Sequence, residues 1–181
     1  TRHGERVVAI RPFPGGHEIE TEKSKFRTRA VLLAIGRRGT PRKLGVSGEE
    51  LPKVVYRMID PTQYAGRRVV VVGGGDSALE AAAAIAEQPR AKVLLSYRGA
   101  AFARARPRNR ERIEQASARG TLMVLLNSEL AEIRDGDVSF LIEGQRKKAA
   151  NDDVIICAGG TLPDDFLRSV GIGVDTKFGS K

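Results

Sequence analysis

The sequence predicts an α/β fold built on a parallel sheet, and three adjacent observations carry that prediction. A valine-rich run, residues 68–72, leads straight into Gly73-Gly74-Gly75-Asp76-Ser77-Ala78. An alanine-rich stretch, residues 77–88, follows, and after Pro89 a second apolar run occupies residues 92–97. β-Branched side chains suit a pleated strand and alanine suits a helix. Strand, tight turn, helix and strand in succession make a βαβ unit, whose two strands lie parallel.

The remaining segments extend this plan in both directions. Residues 6–10 and 18–21 read as short strands around Pro12-Phe13-Pro14-Gly15-Gly16, and residues 26–30 continue the extended pattern, giving a small antiparallel sheet. Residues 30–35 are apolar throughout, the pattern of a strand buried on both faces, and break at Gly36-Arg37-Arg38-Gly39-Thr40-Pro41. Residues 42–66 are mixed and polar, a connection with at most one short helix. Beyond Tyr97, residues 108–119 form a charged helix ending at Gly120, and residues 122–126 a third buried strand. Residues 130–134 and 138–143 flank Asp135-Gly136-Asp137, whose Asp-Gly pair favours a hairpin, so an antiparallel meander is expected. Residues 154–158 form a last buried strand that breaks at Gly159-Gly160-Thr161-Leu162-Pro163.

The two breaks are alike: Ala34-Ile35-Gly36 with Thr40-Pro41, and Cys157-Ala158-Gly159 with Thr161-Leu162-Pro163. They bracket the βαβ region, which predicts a domain spanning residues 41–160 inserted into another domain, represented here by partial segments 1–40 and 161–181. The chain starts at Thr1, and its last residues, Phe178-Gly179-Ser180-Lys181, show no stop to an element, so it is expected to be a piece of a longer one.

Composition bounds the function. A chain of 181 residues with 41% hydrophobic content is long enough for one full domain with a core. No stretch approaches the roughly 18 apolar residues of a membrane span, and the first residues lack the apolar core of a signal peptide, so a soluble, cytoplasmic protein is expected. Cys157 is the single cysteine, which excludes an internal disulfide, and no Cys/His spacing suggests zinc. The net charge of +9 suits a polyanionic partner without separating nucleic acid from a phosphorylated cofactor.

The glycine turn speaks for the cofactor. Gly73 permits a tight turn after the strand, Gly75 lets backbone approach a pyrophosphate, and Ala78 takes the small position where helix and strand pack closely. The free N–H groups at the helix start then face phosphate. This is the Rossmann-type dinucleotide fingerprint in the strand-turn-helix setting it requires. An NAD site ends its second strand on a carboxylate, but here the chain reads Ser96-Tyr97-Arg98-Gly99. Arg98 with Arg104 or Arg106 offers guanidinium donors to a 2′-phosphate instead, which favours NADPH over NADH.

Other residues carry two readings. Tyr97 either packs on the adenine or covers the sheet edge. Asp76 either stabilises the helix start or lies near the ribose and pyrophosphate. Glu80 favours the helix dipole or orders polar groups near the nicotinamide. Ala158, Gly159 and Gly160 of the second break are counted with the cofactor-binding residues. The other arginines of residues 104–112 fit a solvated helix face better than a nucleic-acid patch, because no aromatics are interleaved to stack bases. Cys157 reads as strand packing, and His3 and His17 have no ligand cluster around them.

Val71-Val72-Gly73-Gly74-Gly75-Asp76-Ser77-Ala78-Leu79-Glu80, followed by Ser96-Tyr97-Arg98 and bracketed by the paired breaks, resembles the thioredoxin reductase-like flavoproteins of the pyridine nucleotide-disulfide oxidoreductase superfamily over nearly the whole chain. The resemblance implies an NADPH domain inserted into an FAD domain, hinge strands at the two breaks, and Arg98 and Arg104 on the 2′-phosphate. Where thioredoxin reductases carry CxxC, this chain has Val54-Val55-Tyr56-Arg57-Met58-Ile59-Asp60-Pro61. It is therefore similar to the cysteine-free, bacillithiol disulfide reductase-like members, in which FAD passes electrons to another acceptor. The resemblance implies that the parent moves hydride from NADPH to FAD, with FAD not retained and activity not expected in this chain alone. It leaves the final acceptor unidentified and is compatible with a homodimeric parent. The contrasting expectation is a non-catalytic basic binding or regulatory module on the same scaffold.

Overall fold

The computed structural model describes residues 1–35, 40–161 and 164–175. Gly36 to Gly39 of the first break and Leu162-Pro163 of the second therefore lie outside the described residues, as does the end of the chain from residue 176. Contacts divide the chain into two units, Pro41–Gly160 and Thr1–Thr40 with Thr161–Lys181.

In the latter unit, β1 (Val7–Phe13), β2 (Gly16–Thr21) and β3 (Lys25–Thr28) form an antiparallel sheet in sequence order. The first hairpin closes with Phe13 opposite Gly16, a tighter turn than the sequence suggests. β1 lies at the sheet edge, where Pro12 withholds no ladder hydrogen bond. Polar and cation–π contacts hold this sheet: Arg11 pairs with Glu20, and the Arg27 guanidinium sits 5.4 Å from the Phe13 ring centroid. A short helix, Asp164–Ser169, belongs to the same unit.

Residues 30–35, expected as a buried strand, are not one: no ladder includes them, and Leu32 is 92% exposed. A strand buried on both faces needs paired edges and a layer on each side. No described element supplies them.

The other unit is entered within β4 (Thr40–Pro41), at Pro41, and continues through β5 (Val54–Val55), a 3₁₀ turn (Pro61–Tyr64), β6 (Arg68–Val72), α1 (Asp76–Ala86), β7 (Lys92–Ser96), α2 (Pro107–Ala118) and β8 (Leu122–Leu125). β9 (Ser128–Ile133), β10 (Asp137–Ile142), β11 (Gln145–Ala150) and β12 (Asp153–Ile156) complete it, and it is left within β13 (Gly160–Thr161), at Gly160. β4 and β13 pair as a two-stranded ladder. The main sheet is parallel in the order β5-β12-β6-β7-β8, with Val70 level with both Val154 and Leu94.

Both faces of this sheet are covered, which is why its strands are apolar without alternation. Val69, Val71, Val93, Leu95 and Ile155 pack with Ala78, Leu79, Ala82 and Ile85 of α1 and Ile113 and Ala116 of α2. Val70, Val154 and Ile156 pack on the opposite side with Leu130, Ile133, Val138 and Phe140. Helices, parallel sheet and antiparallel meander are thus the three layers of the Rossmann-type arrangement. The meander gains a strand, β11, over a Glu143-Gly144 turn with both residues at positive φ.

The segment before β6 is more ordered than a plain connection. Glu49, buried, accepts the Leu44 and Gly45 N–H groups at 2.7 Å and the Tyr56 hydroxyl at 2.9 Å. Ile133 N–H donates to the Ser47 carbonyl at 2.8 Å, and Gly48 lies so near the Ile133 carbonyl that a β-carbon would collide with it.

Candidate dinucleotide site

Parallel strands end together at one edge of a sheet, and ligands of open α/β sheets bind beyond those carboxyl ends. Here β6, β7 and β12 end at Val72, Ser96 and Ile156. Gly73 N–H donates to the Ser96 carbonyl at 2.9 Å, and Cys157 N–H to the Val72 carbonyl at 2.7 Å. Gly73 has φ +144°, and a β-carbon there would stand 2.5 Å from the Cys157 oxygen and 3.0 Å from the Ala78 Cβ. Backbone conformation and space both demand glycine at this position.

The next two glycines differ from it. Gly74 is buried directly beneath the Tyr97 ring, so its hydrogen is what lets that ring lie on the turn. Gly75 is exposed, is the N-cap of α1, and has open space where a side chain would be. Among the described residues the N–H groups of Gly74, Gly75, Asp76 and Ser77 have no acceptor, whereas those of Ala78 and Leu79 return to the Gly75 carbonyl. Adjacent unpaired donors at the N-terminus of an eleven-residue helix suit an anion. Ser77 faces solvent and Ala78 is fully buried.

The structure gives Asp76 a defined partner set. Its carboxylate accepts the backbone N–H of Arg106 at 2.8 Å and Nδ2 of Asn109 at 2.7 Å, with Nε of Arg106 3.7 Å away. The Arg106 N–H, then Asn109, hold its carboxyl below the usual aspartate range against the opposing effect of burial. Glu80, exposed, also accepts from Asn109 Nδ2, at 3.1 Å. Asn109 is 6% exposed and escaped the sequence reading because it sits among arginines in a stretch that looks like a solvated helix.

Tyr97, half-buried, stacks on Phe102 with ring centroids 5.5 Å apart and covers Gly74 and Gly99. Arg98 and Arg104 are exposed and, among the described residues, have no hydrogen-bond or ion-pair partner. Of the arginines that follow, Arg106 is engaged at Asp76, Arg110 on the Ala105 carbonyl and Arg112 on Glu87, while Arg108, in the first turn of α2, is exposed and, like Arg98 and Arg104, without a partner among the described residues. Ala158 is half-buried, Gly159 and Gly160 are exposed, and all three follow the carbonyl that touches Gly73. Burial pushes the Cys157 thiol up to about 11, leaving it protonated at neutral pH. Among the described residues there is no group of acidic, His and Cys side chains placed to hold a metal, and no helix long and apolar enough to cross a membrane.

Residues 1–178 match the family described as pyridine nucleotide-disulphide oxidoreductase. The chain is 35% identical to a ferredoxin–NADP reductase of Ignicoccus hospitalis over 85% of its own length and 51% of that protein's. It is 28% identical to a bacilliredoxin reductase of Bacillus subtilis, over 89% and 50%. The solved structure of a bacillithiol disulfide reductase from Staphylococcus aureus superimposes with a TM-score of 0.86 at 27% identity, covering 96% of this chain and 54% of that one. The chain spans about half the length of the curated relatives it matches.

Proposed function

The chain belongs to the pyridine nucleotide-disulphide oxidoreductase family, whose members use FAD and NAD(P)H, and from that premise we propose that residues 41–160 are its NADPH-binding domain. The observation that carries the reading is the row of unpaired N–H groups from Gly74 to Ser77, with two uncommitted arginines on the loop that follows β7. The amides receive the pyrophosphate at the start of α1. Arg98 and Arg104 receive the 2′-phosphate, since neither is neutralised among the described residues and guanidinium donors match phosphate oxygens. Gly73, Gly74, Gly75 and Ala78 keep the turn tight, and Tyr97 roofs it. Asp76 and Glu80 act through Asn109, and Ala158, Gly159 and Gly160 line the neighbouring strand end.

The chemistry supplied by the bound nucleotide is hydride donation, with FAD of the parent protein as the receiving group. This chain's part is to bind and orient. Outside residues 41–160 the described residues contain no glycine turn opening a helix, so no FAD-holding residue is assigned here. Relatives are named for ferredoxin and for bacilliredoxin, and a single cysteine with a raised pKa offers no dithiol relay. The acceptor is thus served by the parent's flavin and not by a disulfide of this chain.

Calorimetric titration with NADPH and NADH tests the reading. NADPH should bind more tightly by about tenfold or more, and Arg98→Ala should erase most of that preference while leaving NADH unchanged. Equal affinity for the two nucleotides, or an Arg98→Ala protein with intact preference, would remove the phosphate assignment.

A further inference from the structure

The loop that carries both uncommitted arginines is held at each end by the glycine turn itself. At its start, Phe102 stacks on Tyr97, whose ring rests on Gly74. At its finish, the Arg106 N–H and the Asn109 amide both reach the Asp76 carboxylate, and Asn109 spans on to Glu80. Between these points Ala105 is buried in the helix-side core, its N–H donating to the Phe102 carbonyl at 3.1 Å.

The cost of this arrangement shows that it is not incidental. Asp76 places a negative charge at the first residue of α1, which suits the helix start by itself but stands beside the amides that suit an anion, where it repels the group they would receive. Its hydrogen bonds go to the loop and to α2, and none is directed back at its own turn. Asn109 spends its amide on two carboxylates while almost wholly buried. An amide is the group that fits: its N–H donors satisfy both acids, whereas a carboxylate in its place would put a third negative charge among them.

We propose that Asn109 is a positioning residue for cofactor selectivity, clipping the start of α2, and with it the end of the arginine loop, to Asp76 at the glycine turn and to Glu80 of α1, so that Arg98 and Arg104 are held at a fixed distance from the pyrophosphate site. The inference rests on the assignment of those arginines to the 2′-phosphate. Contacts to the pyrophosphate are common to both nucleotides, so loosening the clip affects only the one with the extra phosphate.

The test is a double-mutant cycle in the whole chain, reading NADPH and NADH affinities by calorimetry. Asn109→Ala should weaken NADPH about five- to tenfold and NADH by less than about twofold, the effect of misplacing a charged hydrogen bond. In an Arg98→Ala/Arg104→Ala background the same substitution should have no further effect, because nothing remains to position. Asp76→Ala, which removes the Oδ1 that accepts both bonds, should lower the NADPH to NADH ratio in the same way, since relief of repulsion at the pyrophosphate amides acts on both nucleotides alike, and it guards against a buried Asn109→Ala that fails to fold. Equal weakening of both nucleotides, or an undiminished Asn109→Ala effect without the arginines, would make the clip a structural tie only and overturn the proposal. If the arginine pair can be removed without changing the NADPH to NADH ratio, the phosphate assignment is what fails, and the clip's role in selectivity falls with it.

Discussion

The two units of this chain use apolar residues in opposite ways. In Pro41–Gly160 the apolar runs are covered on both faces: Val69 to Val71, Leu95 and Ile155 are all within a few per cent of full burial. In the unit formed by Thr1–Thr40 and Thr161–Lys181, Ile10 and Val170 are the buried apolar residues among those described, while Leu32 and Ile35 stand in solvent. Similar sequence patterns therefore reach different ends, and what separates them is the presence of neighbours. A hydrophobic run contributes stability only when another surface takes it out of water.

The largest test of that contrast pairs two truncations. Phe140→Ala removes a 1% exposed ring from the meander-side core and should cost about 3–5 kcal/mol in chemical denaturation. Leu32→Ser, at 92% exposure, should change stability by less than about 0.5 kcal/mol. A comparable loss from Leu32→Ser would mean that this segment is buried in solution and would break the comparison. Gly73→Ala comes next: a side chain at φ +144° against the Cys157 carbonyl should cost about 1–3 kcal/mol and weaken NADPH more than about tenfold.

A smaller effect comes from the start of β6. Arg68 donates its backbone N–H to Asp152 at 2.7 Å and its guanidinium at 2.6 Å, and these bonds lower the Asp152 carboxyl to about 2. The folded value lies below the unfolded one of roughly 3.9, so the contribution is full above that value and disappears as pH falls towards 2. Unfolding followed at pH 5, 3 and 2 should show this decline, and Asp152→Asn should flatten it. Smallest is Cys157→Ala, expected to leave NADPH affinity within about twofold, because a half-buried, protonated thiol packed against the core serves packing. Rapid alkylation of the folded protein at pH 8 would contradict that role.

Much of the parallel unit is legible from residue type alone. The valine run, the glycine turn and the alanine helix each have a local signature, and the structure places strand, turn and helix there within a residue or two. β11 was not legible because Gln145-Arg146-Lys147-Lys148 is polar and lies at the edge of the meander, where one covered neighbour is enough. Asn109 and Glu49 were missed for a different reason: each acts on groups far away or out of pattern, and their meaning lies in hydrogen bonds that only the fold creates. Residues 30–35 show the converse, since an apolar run states a need for cover without saying whether the chain meets it.

The four consecutive valines of β6 have a consequence for how this sheet finds its alignment. Two of them face the helices and two the meander, so sliding the strand by one residue would put valine in place of valine on both sides. Its interior is blind to such an error. The phase must be read at the ends, where Arg68 grips Asp152 and Gly73 alone fits against the Cys157 carbonyl. Those two fastenings act as the marks on an otherwise blank ruler, and a protein that lost both would keep its hydrophobic content while losing the means to count it.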